Sequence, residues 1–273
     1  MAEKALTPDE VGEFYDDRGW LWEIFMGQNL HIGYWDEADP DVDPKDRLTD
    51  VLIERVALGP GQRLLDVGCG QGRPAVRLAV ASGCEALGIT VSADQVETGD
   101  RLAREAGVHD RVRFERVDAM RLPYEDGSFD AVWAVETLMY LSDRRAALRE
   151  IARVLAPGGV FVLADYTESG PLTEEWRAVL EEGFTVGSLP TADAYTDMIG
   201  GAGLEIVHHE DATPHLRRSA ARIDRLVADN YPKVVEKGGR EFAEEFKAMI
   251  GKISALERDL LGYVITTARR PLA

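Results

Sequence analysis

Residues 64–72 read Leu64-Leu65-Asp66-Val67-Gly68-Cys69-Gly70-Gln71-Gly72, an apolar run that ends in an acid and continues into a glycine-rich turn. Glycines let a ligand approach the backbone and permit positive φ angles. The spacing is G-x-G-x-G and differs from the G-x-G-x-x-G of dinucleotide-binding folds. Asp66 would repel a phosphate, so it suits a ligand with a cationic amine or a sulfonium. This stretch predicts a strand–turn–helix unit that binds a cationic small molecule.

Strand-length apolar stretches alternate with helix-length stretches from residue 63 onward. The predicted strands are 63–67, 86–89, 112–117, 131–135, 160–165, 204–209 and 262–268, and helices are predicted at 74–82, 93–106 and 144–155. A further helix is predicted at 47–57, and Pro157-Gly158-Gly159 is expected to end the helix at 144–155. Alternating βα units indicate a mostly parallel sheet with helices on both faces. The chain is therefore predicted to have an α/β fold with a seven-stranded sheet.

The chain divides into four predicted segments around this pattern. They are an N-terminal helical segment (1–57), an α/β domain (58–212), a helical cap inserted before the last strand (213–261), and the final strand with its tail (262–273). The cap is interrupted at Gly238-Gly239. A cap beside the carboxyl ends of the strands would form an acceptor pocket there.

Composition limits the partners of this chain. Its 273 residues carry a formal net charge of −18, which repels nucleic acid and anionic membranes. No stretch reaches the roughly 20 apolar residues of a membrane helix, and residues 1–10 lack the apolar core of a secretory signal. Cys69 and Cys84 form neither a metal-ligand pattern nor a disulfide framework. We expect a cytoplasmic protein with no metal, no nucleic-acid partner and no membrane partner.

Six further stretches carry a resemblance to a known family. They are residues 29–35, 88–95, 118–120, 129–133, 149–159 and 262–264. In this order, and with the glycine motif, they resemble the class I S-adenosylmethionine-dependent methyltransferases. The resemblance spans nearly the whole chain and is closest to actinobacterial natural-product enzymes of the rebeccamycin sugar O-methyltransferase type. It implies a Rossmann-like class I methyltransferase fold, S-adenosylmethionine as the cofactor and a small-molecule acceptor.

The resemblance also implies which residues bind the cofactor. They are Tyr15, Asp66, Gly68, Gly70, Thr90, Val91, Gln95, Asp118 and Ala119. Asp66 and the two glycines would surround the methionine moiety. Asp118 would accept a hydrogen bond from the adenine amino group, with the Ala119 backbone beside the ring. Tyr15 belongs to an aromatic N-terminal stretch that resembles a lid over the cofactor, although the same stretch could be a helix packed through its apolar face.

Residues 88–95 depart from the commonest pattern of the superfamily. Many members end the second strand with an acid that binds both ribose hydroxyls, whereas this chain has Thr90. Cyclopropane fatty acid synthases are similar in this respect, and Thr90 and Gln95 would bind the ribose as neutral groups. An NAD-dependent oxidoreductase is disfavoured too, because it would carry an acid about 20 residues after the first glycine.

The acceptor side departs from the sugar O-methyltransferases. A hydroxyl acceptor usually needs a base, and those relatives have a His pair after the fourth strand and an Asp at the end of the fifth. Here Met139 and Tyr140 replace the pair, and Asp165 is retained. An unperturbed Tyr has a pKa of about 10 and is a weak base. The catalytic candidates on this interpretation are Tyr140, Asp165 and, from the lid side, His31.

Glu136 supports a second interpretation. The pattern Glu-x-x-Met-Tyr at residues 136–140 resembles prenyl-diphosphate C-methyltransferases, in which an acid and aromatic rings would stabilise a carbocation. No clear diphosphate site accompanies it, so methylation of a hydroxyl on a specialised metabolite is the favoured function. A non-catalytic S-adenosylmethionine-binding protein is the third alternative. The aromatic N-terminal helix could exchange between subunits, which leaves a homo-oligomer open.

Overall fold

The computed structural model describes Leu21, Ile24, residues 29–38 and residues 41–272. A seven-stranded sheet has the order β3-β2-β1-β4-β5-β7-β6. Its strands are β1 (Arg63–Val67), β2 (Glu85–Thr90), β3 (Val112–Arg116), β4 (Phe129–Val135), β5 (Leu155–Glu168), β6 (Glu205–Asp211) and β7 (Leu261–Arg269). The first five pair in parallel, and β7 is antiparallel to both of its neighbours. The predicted fold class is confirmed.

Helices accompany this sheet. They are α1 (Pro44–Val56), α2 (Arg73–Ser82), α3 (Ala93–Glu105), α4 (Arg144–Val154), α5 (Glu174–Phe184), α6 (Ala192–Gly201) and α7 (Thr213–Asp259). Five begin at a residue whose side chain accepts a hydrogen bond from the first turn, namely Asp43, Ser92, Asp143, Thr173 and Thr191. Such caps satisfy backbone N–H groups that have no partner within the helix.

The core lies on both faces of the sheet. Neighbouring residues Leu64 and Leu65 of β1 belong to two separate apolar clusters, one on each face. Val132 and Trp133 of β4 divide in the same way. Because both faces are covered, the central strands are continuously apolar instead of alternating.

Some predicted boundaries were wrong. The helix expected at 144–155 ends at Val154, and β5 begins at Leu155 instead of residue 160. The sequence Pro157-Gly158-Gly159 lies inside β5 and does not precede it. The backbone stays extended there because Leu155 pairs with Phe129 of β4. Helix α1 begins at Pro44 instead of residue 47, since the Asp43 side chain accepts a hydrogen bond from the Lys45 N–H.

Helix α7 lies between β6 and β7 in the chain, over most of the segment assigned to a cap. It contacts both β7 and α5. Gly239 has φ 83° and ψ 166°, so two helical parts meet there at a kink, as the sequence indicated. The division into lid, cofactor domain and cap stays a prediction. Tyr15, Trp20 and Trp22 of the proposed lid lie outside the described residues.

The described ranges contain neither a membrane-spanning helix nor a metal-ligand cluster. No helix in them is long and apolar enough to cross a membrane. Between residues 41 and 272, and in the shorter described pieces before them, no three His, Cys, Asp or Glu side chains cluster as metal ligands would. Cys69 and Cys84 are both buried free thiols.

Candidate active site

A cavity opens at the carboxyl ends of β1, β2, β3 and β4. Among the residues that line it are Asp66, Gly68, Gly70, Thr90, Val91, Gln95, Asp118 and Ala119. These are all the cofactor-binding residues proposed from the sequence that fall within the described ranges. Parallel strands bring their carboxyl ends to one edge of the sheet, which explains why residues so far apart in sequence meet here. We call this space the cofactor cavity.

The turn after β1 needs glycine at residue 68. Gly68 has φ 72°, a left-handed conformation that favours glycine. A Cβ atom there would lie 2.1 Å from Oγ1 of Thr137. The backbone N–H groups of Gly68 and Cys69 both donate to the carbonyl of Ile89, at 2.9 Å each. The turn is therefore packed tightly against the ends of β2 and β4.

Asp66 offers an unpaired charge to the cofactor cavity. Its side chain is only 2% exposed, and Oδ2 accepts no hydrogen bond from the described residues. Burial raises the pKa of this carboxyl to about 7. A buried carboxylate without a partner is unfavourable, so a cationic ligand would stabilise it. The amino group and sulfonium of S-adenosylmethionine fit that requirement.

The side chains at the end of β2, where an acid would bind a ribose, are neutral. The Thr90 hydroxyl donates to Oε1 of Gln95 at 2.6 Å and accepts from the Ser92 N–H at 3.2 Å. Ser92 caps α3 through the Gln95 N–H. Asp118 Oδ1 accepts from the Met120 N–H at 2.9 Å, which fixes the turn after β3. The side chains of Thr90, Gln95 and Asp118 are thus held at the cavity wall by local hydrogen bonds.

A second cavity of about 900 Å³ adjoins the first. Its wall is largely apolar and comes from α7, the end of α5, the start of α1 and the segment of residues 30–35. Four residues line both cavities: Leu30, His31, Glu136 and Tyr140. We call this second space the acceptor cavity and the four shared residues the junction. A methyl group delivered from one cavity to the other would pass there.

Glu136 is held rigidly at the junction. It has φ 48°, a strained conformation for a residue other than glycine, of a kind that clusters at active sites. Its Oε1 accepts from the Ile32 N–H at 2.8 Å and from the Tyr263 hydroxyl at 3.0 Å. Burial raises the pKa of Glu136 to about 8. The carboxyl therefore gains or loses its proton close to neutral pH.

His31 is a weaker base than the sequence suggested. Its Nδ1 lies 2.8 Å from the carbonyl of Ile32 and donates to it, while Nε2 lies 3.4 Å from the Thr49 hydroxyl. Burial lowers the pKa of His31 to about 4. The ring is neutral at physiological pH, with one nitrogen already bonded to the backbone.

Tyr140 and Asp165 lie at different depths. Tyr140 ends a short 3₁₀ turn, Leu138–Tyr140, and lines the junction. Asp165 is fully buried behind this turn, where it accepts from the Tyr195 hydroxyl at 3.0 Å and the Met139 N–H at 3.1 Å. Burial raises its pKa to about 7. Asp165 therefore positions the turn, and its placement does not support direct contact with an acceptor.

Sequence reasoning missed several polar residues of this site. They include Lys45, Tyr166 and Glu257, which line the acceptor cavity, and Tyr263, which bonds to Glu136. Tyr263 lies in the stretch 262–264 that carried the resemblance, so its role could have been suspected. Lys45 and Glu257 each lie on a helix rich in charged residues, where nothing local distinguishes a buried side chain from an exposed one. Burial lowers the pKa of Lys45 to about 8.

Comparisons with known proteins agree with this geometry. Residues 65–163 match the family model described as a methyltransferase domain. The chain is 39% identical to 27-O-demethylrifamycin SV methyltransferase of Amycolatopsis mediterranei, over 97% of this chain and 98% of that one. It is 36% identical to methyltransferase GfsG of Streptomyces halstedii, over 96% and 94%. The crystal structure of the [4+2]-cyclase SpnF superposes with a TM-score of 0.85, at 34% identity and 98% coverage of both chains.

The chain belongs to the S-adenosylmethionine-dependent methyltransferases. Its relatives cover it almost from end to end, and the buried acid Asp66 lines its cofactor cavity. The predictions of a class I methyltransferase fold, of an enzyme in natural-product chemistry, of S-adenosylmethionine as the cofactor and of a small-molecule acceptor are confirmed.

Proposed function

We propose that this enzyme transfers the methyl group of S-adenosylmethionine to a hydroxyl oxygen of a large, mainly apolar specialised metabolite. The observation that carries the proposal is the junction, where the half-buried Glu136 carboxyl, with its pKa raised to about 8, lies between the two cavities. The acceptor cavity of about 900 Å³ suits a bulky molecule. The O-methylation named for the rifamycin relative supports oxygen as the methyl acceptor.

Glu136 is the proposed general base. The cofactor supplies an electrophilic methyl group on a sulfonium, and the protein aligns the acceptor with it. The Glu136 carboxylate would accept the hydroxyl proton as the carbon–oxygen bond forms and the methyl carbon–sulfur bond breaks, which leaves S-adenosylhomocysteine. A base with a pKa near the working pH is best suited to this role. Its bonds from Ile32 and Tyr263 hold it in place.

The other junction residues have supporting roles in this proposal. Tyr140 contacts both ligands, and Asp165 fixes the turn that carries Tyr140. His31 is neutral and shapes the wall. On the cofactor side, Asp66 balances the cation, and Thr90, Gln95 and Asp118 bind the ribose and adenine. Gly68, Gly70, Val91 and Ala119 place backbone against the cofactor, and Tyr15 contributes from the lid.

The test is turnover with defined acceptors. Purified enzyme is incubated with S-adenosylmethionine and 27-O-demethylrifamycin SV, followed by other hydroxylated polyketides and terpenoids. We expect S-adenosylhomocysteine and a product heavier by one methylene unit to form in equal amounts. Glu136→Gln should slow the reaction at least about a hundredfold, whereas Glu245→Gln, at an exposed residue of the same cavity, should not.

Product analysis separates the alternatives. A new methoxy signal by nuclear magnetic resonance supports oxygen methylation, and a new carbon-bound methyl supports the carbocation mechanism. Rearrangement of a substrate with no change in mass would instead match the cyclase named for the relative SpnF. Tight S-adenosylhomocysteine binding without turnover of any acceptor would support a non-catalytic cofactor-binding protein.

We propose that the enzyme works in the cytoplasm, where S-adenosylmethionine is made, with residues 1–57 as a lid and 213–261 as a cap. The net charge of −18 argues against a nucleic-acid partner. A homo-oligomer formed through the aromatic N-terminal segment would be detected by light scattering, and substitution of Trp20 and Trp22 by Ala would reduce it to monomers.

A further inference from the structure

Among the polar side chains that line the acceptor cavity, Tyr166 and Glu257 form a buried pair. Tyr166 of β5 donates its hydroxyl to Oε1 of Glu257 on α7 at 2.9 Å. Tyr166 is 4% exposed and Glu257 is 3% exposed, and both line the cavity. Oε2 of Glu257 accepts no hydrogen bond from any described residue. Half of a buried carboxyl is therefore left for something inside the cavity.

No described residue donates a hydrogen bond to the free oxygen of this carboxyl. Arg217 is nearby, but its guanidinium donates to the backbone carbonyl of Glu257. Burial raises the pKa of Glu257 to about 7, and the charge of Asp224 acts in the same direction. A polar atom buried without a partner is unfavourable, so a pair that served only to join β5 to α7 would be poorly built. The arrangement is better explained by a ligand that completes it.

The pair is connected to the junction by two aromatic rings. The Tyr263 hydroxyl donates to Glu136 at 3.0 Å. Its ring meets the ring of Tyr166 edge to face, with centroids 5.3 Å apart, and Tyr166 in turn bonds to Glu257. One wall thus presents two carboxyls separated by a tyrosine pair. The surrounding wall is apolar and includes Phe184 and Ile253.

We propose that Glu257, oriented by Tyr166, is a second polar binding site that accepts a hydrogen bond from a hydroxyl group of the acceptor. The acceptor is then an apolar molecule with two hydroxyl groups. One is methylated at Glu136, and the other is held at Glu257 and decides which hydroxyl reaches the junction. This inference rests on the proposed function, because it takes the larger cavity for the acceptor site.

The test uses simple probes and requires no turnover. Binding of α,ω-alkanediols, from hexanediol to dodecanediol, is compared with that of the corresponding 1-alkanols by calorimetry on the S-adenosylhomocysteine complex. A hydrogen bond to a charged group should make the best-fitting diol bind about tenfold more tightly than its mono-alcohol. The preference should peak at one chain length, which reports the distance between the two polar sites.

Matched variants locate the effect. Glu257→Leu should remove the preference for the diol, and Glu257→Gln should lower it at least about threefold if the leucine variant fails to fold. Tyr166→Phe should weaken the preference without removing it, because the Glu257 carboxyl stays in the wall but loses the hydroxyl that orients it. Glu245→Gln should keep it, since this exposed carboxylate lies on another part of the cavity wall.

The outcomes distinguish failure of the Glu257 site from failure of the proposed function. Equal or undetectable binding of diols and mono-alcohols by the wild-type protein would overturn the proposal, and so would a diol preference that survives in Glu257→Leu. A diol preference without methylation of any acceptor would overturn the proposed function alone. Methyl transfer without a diol preference would overturn the Glu257 site alone.

Discussion

Asp66 is a buried acid and Glu136 a half-buried one; both have raised pKa values, but their partners differ. Asp66 has an oxygen that no described residue satisfies, whereas Oε1 of Glu136 accepts two hydrogen bonds. A cation placed beside Asp66 would lower its pKa toward the ordinary range and bind more tightly as a result. A proton on Glu136 instead blocks its use as a base. The same physical cause, removal of the carboxyl from water, is therefore compatible with the binding role proposed for Asp66 and the catalytic role proposed for Glu136.

Asp66→Asn should weaken cofactor binding at least about tenfold, because a neutral amide cannot balance the charge of the bound cation. Wild-type affinity should rise as the pH increases from 6 to 8, since a carboxyl with a pKa of about 7 is protonated below that range and charged above it. The variant should lack this rise. Calorimetric titration with S-adenosylmethionine measures both effects. Asp94→Asn, at an exposed residue of α3, is the control, and equal affinity in all three proteins would contradict the assignment.

Glu136→Gln should lower kcat by about 10²–10⁴, the usual contribution of a general base, and change KM little. In the wild-type enzyme, kcat should rise with pH to a plateau. The midpoint should lie at or below pH 8, because the pKa of Glu136 is raised to about 8 and a bound sulfonium lowers it. Tyr263→Phe removes a donor to the carboxylate and should move the midpoint upward. A pH profile that is the same in wild type and Glu136→Gln would exclude Glu136 as the base.

The turn after β1 lines the cofactor cavity and also packs against the ends of β2 and β4. Gly68→Ala should destabilise the protein by about 2–4 kcal/mol, through a left-handed φ and a contact of 2.1 Å with Thr137. Gly107→Ala is the matched control, since Gly107 has φ 70° but nothing within 4 Å of the added Cβ, and should lose only about 1 kcal/mol. Urea unfolding gives both values. Equal losses would show that the close approach contributes nothing.

Elements with local signals could be predicted from the sequence. Strand β1, the glycine turn and α2 follow one another in a single motif, and Ser92 marks the start of α3. Pro157-Gly158-Gly159 was misinterpreted as a break because what keeps it extended is distant. Leu155 pairs with Phe129, and Gly158 and Gly159 exchange backbone hydrogen bonds with Arg270.

The cofactor and acceptor halves of the site also differ in how much of each could be predicted from the sequence. The proposed cofactor residues lie in short motifs at the ends of parallel strands, and a parallel sheet brings these ends together at one edge. The acceptor residues come from distant parts of the chain. Glu136 follows β4, Tyr263 lies on β7, and Glu257 lies near the end of a 47-residue helix. Their contacts depend on how α7 packs against the sheet, for which one sequence offers no local signal.

The segment of residues 29–35 connects distant parts of the molecule, because it contacts both Glu136 and α7. The Ile32 N–H donates to Glu136. The next residue, Gly33, donates to the Ser219 hydroxyl at 3.0 Å, and Tyr34 stacks on His215 with ring centroids 3.8 Å apart. The position of α7 and the orientation of the proposed base are therefore mechanically connected. An acceptor that shifts α7 would also shift Glu136.

Four acids make the stability of the whole molecule depend on pH. Burial raises the pKa of Asp66, Asp165 and Glu257 to about 7 and that of Glu136 to about 8. Each value lies above the value of about 4 for an unfolded chain. Between these limits the folded state holds protons that the unfolded state has lost. Folding is therefore most favourable at the acidic end of the window and weakens as the pH rises toward 8.

The melting temperature of the cofactor-free enzyme should accordingly fall between pH 5 and pH 8. Each acid contributes up to about 1.4 kcal/mol per pH unit to the slope of the unfolding free energy. Repulsion among surface acids acts in the same direction, so the informative comparison is with Asp66→Asn combined with Glu136→Gln. That double variant should lose stability less steeply with pH than the wild type, whereas Glu85→Gln, at an exposed acid, should follow the wild type.

S-adenosylhomocysteine should flatten the wild-type curve, because its amino group favours ionised Asp66. Calorimetric scans at several pH values provide the test, and parallel curves for the wild type and the double variant would show that these buried acids do not control the pH dependence.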